Sequence, residues 1–124
     1  MVHIIGSGED RHEALWRSLR VDAQVLKDIT IRLSEIVAAS FREDAQEQQG
    51  RIGAHIVSTR PTDSEIKRRL DICKRWFGVL RNDYGYSFPR IFDTLPHALR
   101  ADLDGKPFNP STRATWAPDA EVSR

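Results

Sequence analysis

The sequence predicts a mostly α-helical protein: a helical bundle made of one long N-terminal helix and two or three shorter helices. Residues 9–49 contain neither proline nor glycine, and their apolar residues recur at three- and four-residue steps, which is the spacing of one helix face. The sequence at 61–65 combines a proline with a capping box and marks the start of another helix. We expect a single helical domain over residues 1–103 and an irregular, proline-containing tail over residues 104–124.

The first helix is expected to run from residue 9 to residue 49 with an apolar seam along one side. Its spacing is that of a coiled coil, in which Asp22 and Ser40 are polar interruptions. The alternative is a break at Arg20–Asp22, in which Asp22 caps a second helix that begins at Ala23. We interpret the seam as an oligomer surface, formed by Leu15, Leu19, Asp22, Leu26, Ile29, Leu33 and Ile36.

A connection follows the long helix. Gly50 is expected to end the helix, and residues 51–60 to form an extended linker. The alternative is a short strand that pairs with His3–Ile5, which would give at most a minor two-stranded ribbon.

The second helix is predicted over residues 62–83. Thr62 can serve as its N-cap and Glu65, three residues later, as the capping-box partner. Cys73 falls in the apolar row of this helix, so we interpret it as a small core residue and not as a nucleophile.

A third, shorter helical stretch is predicted over residues 88–103, with Pro96 able to split it into two turns. In the tail that follows, Phe108 and Trp116 are candidates to hold parts of the chain against the body of the protein.

Composition bounds the class of protein. The chain has 124 residues, 19 basic and 18 acidic, and a formal net charge of +1, so any attraction to nucleic acid must come from a local patch. The single cysteine excludes an intramolecular disulfide and fits a reducing compartment. The apolar runs are too short for a signal peptide or a membrane span, and we expect a cytoplasmic protein with no membrane partner.

A local basic patch is predicted on the second helix. At 100° per residue, five basic side chains fall opposite the apolar face. The pattern fits a plain solvated face, a surface for the phosphate backbone of nucleic acid, or a surface for an acidic protein. This basic face consists of Lys67, Arg68, Lys74, Arg75 and Arg81.

No pattern points to a metal, a cofactor or a catalytic group. His12-Glu13 opens like a zinc-protease motif, but Trp16 stands where the second histidine is required. The four histidines share no ligand spacing, and the serines lack the glycines of a nucleophile elbow. We therefore expect no metal, no cofactor and no catalytic residue.

The mid-helix sequence Val21-Asp22, Val25, Ile29 and Arg32 resembles that of the all-helical chorismate mutases, over about a fifth of the chain. The resemblance implies a dimer formed through the long helix and a dicarboxylate site built from arginines and a lysine. The chain departs from that pattern, since Leu15 stands where an arginine is expected and Glu43 where the lysine is expected. The resemblance therefore implies at most a helical enzyme with a degraded site.

The function expected first is that of a non-enzymatic protein-binding module, of a regulatory, adaptor or inhibitor type. It would form a homodimer through its long N-terminal helix and bind an unidentified protein. The alternative is a regulator that binds nucleic acid through the basic face, and the chorismate-mutase-like enzyme ranks third.

Overall fold

The computed structural model describes residues 19–52 and 60–112, with side chains described for residues 19–48 and 60–112. This part of the chain contains three helices: α1 (Ala23–Ile52), α2 (Asp63–Asn82) and α3 (Phe88–Leu103). The predicted helical class is confirmed, and no strand occurs in residues 19–52 and 60–112. The expected ribbon involves His3–Ile5, which lie outside the described residues. None of the three helices is long and apolar enough to cross a membrane.

The expectation of one continuous helix from residue 9 to residue 49 is wrong, because the helix begins at Ala23 and ends at Ile52. Residues 19–22 are not helical, and Arg20 has a φ of 54°, a left-handed conformation that no helix interior accepts. The Asp22 side chain accepts a 2.8 Å hydrogen bond from the Val25 N–H, so the alternative of a cap before Ala23 is correct. At the other end α1 continues through Gly50 to Ile52, because one glycine costs only about 1 kcal/mol in a helix.

The two shorter helices begin and end within a residue of their predicted limits. Thr62 and Glu65 form the predicted capping box, in which the Glu65 N–H donates to Thr62 Oγ1 at 3.1 Å and the Glu65 carboxylate accepts from the Thr62 N–H. Ser87 caps α3. Pro96 does not split α3, which runs unbroken to Leu103, since the flanking turns are anchored in the core on the opposite side.

The three helices form an up-down-up bundle. α2 runs back along α1, so that Arg69 in its second turn reaches Asp44 in the second half of α1. α3 then returns along α2 and lies parallel to α1, because Arg32 meets Phe92 and Asp44 meets Arg100, in the same order on both helices. Antiparallel neighbours joined by a short loop, residues 83–87 here, are the usual arrangement of small helical bundles.

The core lies on the shared axis of the three helices. Cys73 is fully buried within it, as predicted, and burial raises the pKa of its thiol to about 12. Phe77 packs against the rings of Phe88 and Phe92 at centroid distances of 5.6 and 5.7 Å. The fully buried large side chains include Leu33, Phe77, Leu80, Ile91, Leu95 and Leu99.

The chain after α3 is irregular but held in place as far as residue 112. Phe108 packs edge-on against Trp76 with ring centroids 5.3 Å apart, which agrees with its expected role as an anchor. The Tyr86 hydroxyl donates to the carbonyl of the buried Pro110 at 3.1 Å. These contacts tie residues 104–112 to α2 and to the loop between α2 and α3. Trp116 lies outside the described residues.

Candidate functional site

Most of the described residues of the predicted seam pack inside the core of a single chain. Ile29, Leu33 and Ile36 are only 3%, 0% and 9% exposed, and they contribute to the core that α1 shares with α2 and α3. Leu19 is buried with them, Leu26 is half-buried, and Asp22 is exposed as the cap of α1. Leu15 lies outside the described residues. In this fold, the buried part of the seam is not available to a second copy of the chain.

The predicted basic face carries internal partners at several positions. Arg75 is ion-paired with Asp102, and Lys67 lies 3.5 Å from Asp71. Arg81 donates to the Tyr86 carbonyl at 2.9 Å. Lys74 is half-buried, whereas Arg68 is exposed. Much of the positive charge of this face is therefore balanced within the fold.

A groove runs between α1 and α3. It has two adjoining lobes of about 350 and 280 Å³, and both lobes are lined by Arg32 and Glu35, so they form one continuous feature. The first lobe is completed by Val25, Asp28, Ile29, Ile31, Phe88 and Phe92, and the second by Ile36, Ala39, Ser40, Glu43, Pro96, Leu99 and Arg100. Apolar and charged side chains both line it, and the two residues shared by the lobes, Arg32 and Glu35, are charged.

The arginine between the two lobes spans the gap between the helices. The Arg32 guanidinium carbon lies 5.3 Å from the centroid of the Phe92 ring, within the range of a cation–π contact. Arg32 is exposed and Phe92 is half-buried, so the contact lies at the surface and an incoming apolar side chain can replace it at a cost of about 0.5–1 kcal/mol.

Pro96 removes one backbone hydrogen bond of α3 beside the groove. Pro96 has no N–H, so the Phe92 carbonyl cannot accept the helical hydrogen bond that residue 96 would normally donate. Both residues line the groove. The Phe92 carbonyl therefore lacks the donor that residue 96 supplies in a regular helix.

A polar cluster closes the groove at the end of the second lobe. Arg69 is 12% exposed in its side chain, and it donates to Ser40 Oγ at 2.8 Å and to the Asp44 carboxylate at 2.7 Å. Arg100 donates to Asp44 at 2.9 Å and lies 3.4 Å from Glu43. Asp44 therefore joins one arginine of α2 to one arginine of α3.

The charges of this cluster shift two pKa values. Burial alone would raise the pKa of Asp44, but the hydrogen bonds from Arg69 and Arg100, with their positive charges, outweigh burial and lower it. Burial works against the charged form of Arg100, yet its contacts with Asp44 and Glu43 raise its pKa overall. The cluster is therefore ionised at neutral pH and satisfies its own charges.

The polar cluster and the groove were not predicted from the sequence. One signal was present: Ser40 interrupts the apolar row of α1, and Arg69 stands three residues after Ile66 and four before Cys73, within the apolar row of α2. Polar residues inside two apolar rows indicate that the rows meet at those positions. The third partner, Arg100, carries no comparable mark.

Three of the residues behind the resemblance to chorismate mutases, Val25, Ile29 and Arg32, line this groove. Arg32 and Glu43 line it from α1, and Glu43 faces Arg100 where the family pattern would have a lysine. Leu15, the other departure from the pattern, lies outside the described residues. In the described residues, no group of three or more histidine, cysteine or carboxylate side chains is placed to hold a metal ion.

Comparison of the chain with protein-family models, curated proteins and solved structures gives no match.

Proposed function

We propose that this chain is a non-enzymatic protein-binding module that takes a helix of its partner into the groove between α1 and α3. The observation that carries the proposal is the pair of adjoining lobes, each lined by apolar side chains of α1 and α3 and by charged residues. Apolar surface lined in this way by two helices is a common receptor for an amphipathic helix.

The dimensions of the groove favour a helix over a small molecule. Each lobe alone lies near or below the lower limit of about 300 Å³ for small-molecule sites. Together they follow α1 from Val25 to Glu43, a length of about 27 Å at the helical rise per residue. A partner helix of about five turns would fill that length and bury the half-exposed Phe88 and Phe92.

The charged residues at the groove support binding more than catalysis. Arg100, Glu43 and Asp44 satisfy one another, and the pKa of Asp44 is shifted down, away from the range useful for acid–base catalysis at neutral pH. An enzyme with the chorismate-mutase-like pattern would need free cations for a dicarboxylate, and Glu43 adds a negative charge at that point.

Selection from a displayed library of random peptides tests this proposal. We expect enriched peptides to carry apolar residues at i, i+3 or i+4, and i+7, and to lose binding to Ala39→Glu, which places a carboxylate in the second lobe. Ala45→Glu is the matched control, because Ala45 is an exposed alanine of the same helix outside the groove. Peptides that bind both variants equally well would place the binding surface elsewhere.

The nucleic-acid alternative rests on the basic face of α2, where Arg68 and Lys67 are exposed. It requires that phosphates compete with the internal partners of Lys67 and Arg75. If it is correct, Arg68→Ala weakens binding to any DNA or RNA duplex and lowers the salt dependence of binding. Unchanged binding in that variant would remove this alternative.

A further inference from the structure

We infer that the partner helix carries lysine or arginine residues along the flank that faces α1. This inference rests on the proposed function, because it specifies the chemistry of the helix that occupies the groove.

The α1 edge of the groove presents carboxylates at a regular spacing. Asp28, Glu35 and Glu43 all line the groove, and they follow one another at seven and eight residues, which is about two helical turns each. Charges at two-turn spacing along a helix pair with opposite charges at the same spacing on a neighbouring helix, as in the flanking positions of coiled coils. The carboxylates of the α1 edge are therefore spaced to pair with basic residues at heptad spacing on the partner helix.

Most of the positive charge near this edge is already committed. Arg69 and Arg100 are bound to Asp44 and Glu43, which balances the polar cluster. Near the first lobe, the α1 edge carries two carboxylates, Asp28 and Glu35, and one cation, Arg32. The Arg32 guanidinium is directed across the groove onto the Phe92 ring.

Glu35 is the most available of these groups. It is exposed and makes no ion pair with any other described residue, whereas Asp28 accepts a 3.0 Å hydrogen bond from Gln24. Carboxylates are acceptors, and lysine and arginine side chains are donors. The α1 edge of the groove thus favours lysine or arginine on the partner helix.

The test compares two helical peptides of about 18 residues with the same leucine ridge. One carries lysine and the other glutamate at heptad-spaced flanking positions, and their affinities are measured by fluorescence anisotropy. We expect the lysine peptide to bind the unmodified protein about tenfold more tightly at about 50 mM salt, and the difference to shrink at about 300 mM. Glu35→Lys should reduce or reverse this preference.

Asp83→Lys is the matched control, since it makes the same change of charge at an exposed residue outside the groove. It should leave the preference intact. If both peptides bind equally well and both lose binding to Ala39→Glu, the charge inference is overturned while the groove remains a helix-binding site. If neither peptide binds, the inference and the proposed function fail together.

Discussion

At the scale of single residues, Asp44 does the most to fix the arrangement of the helices. Its carboxylate receives Arg69 from α2 and Arg100 from α3, at 2.7 and 2.9 Å. Hydrogen bonds to charged groups contribute about 1.5–3 kcal/mol each when one partner is well buried, and Arg69 meets that condition. The same residue therefore locks both neighbouring helices to the second half of α1.

This arrangement predicts a specific dependence of stability on pH. Because the pKa of Asp44 is lowered in the folded protein, its contribution is complete above the ordinary carboxyl pKa of about 4 and is lost as the pH falls through the folded value. Asp44→Asn should lower the free energy of unfolding at pH 7 by about 1 kcal/mol, because the Asp44 side chain is 36% exposed and solvent weakens its ion pairs. The difference from the unmodified protein should shrink toward pH 3, as measured by urea unfolding. A difference that is constant between those pH values would contradict the assignment.

At the scale of elements, α3 contains a proline that opposes helix formation, and yet the helix packs well into the core. Pro96 lies in the middle of the helix, where it removes one hydrogen bond and normally kinks or ends a helix. On the opposite side, Ile91, Leu95 and Leu99 are completely or almost completely buried, and Thr94 Oγ1 donates to the Arg90 carbonyl at 2.8 Å. Tertiary contacts therefore hold the helix through a residue that opposes it.

Replacing this proline should stabilise the protein. Pro96→Ala restores the N–H for the Phe92 carbonyl, and we expect the free energy of unfolding to rise by about 1–2 kcal/mol, after allowance for the greater entropy of the unfolded chain. Pro89→Ala is the control: Pro89 lies in the first turn of the same helix, where no hydrogen bond is lost, so it should not stabilise. Thermal and urea unfolding of both variants provide the measurement.

The elements with local signals were the ones predicted correctly. Thr62 with Glu65 gave the start of α2, because a capping box depends on neighbouring residues only. The sequence is compatible with two starts for α1, residue 9 and Ala23, because the left-handed φ of Arg20 that breaks the helix has no signature in the neighbouring residues. Arg100 lies 56 residues from Asp44, and periodicity indicates which face of a helix is buried but not which residue of another helix it meets.

At the scale of the whole molecule, α1 is the longest of the described helices, and its residues 45–48 are exposed. We expect the homodimer to use the part of α1 that carries Ile31 and Glu35, because Ile29, Leu33 and Ile36 of the seam are buried in the core. Ile31 is 50% exposed, and it lines the first lobe of the groove together with Glu35, so this dimer and a helix in the groove would compete for the same surface. In an antiparallel pair centred on Ile31, Lys27 lies opposite Glu35 of the partner subunit, and the two residues are too far apart in one helix to pair with each other.

Reciprocal charge reversal tests this dimer. Lys27→Glu alone and Glu35→Lys alone place like charges opposite one another at both pairs, so each variant should be monomeric in analytical ultracentrifugation. An equimolar mixture of the two variants restores both attractive pairs and should sediment as a heterodimer. A mixture no heavier than its components, with an unmodified protein that is also monomeric, would exclude pairing through this face.

The buried Cys73 thiol can report how often the helical bundle opens. Its sulfur is the only thiol in the chain, has no exposed surface, and is protonated at neutral pH because its pKa is about 12. A thiol reagent can react with it only when α2 separates from its neighbours. The labelling rate therefore reports how often the bundle opens, and the same sulfur would record how much a bound partner helix slows that opening, with no added probe.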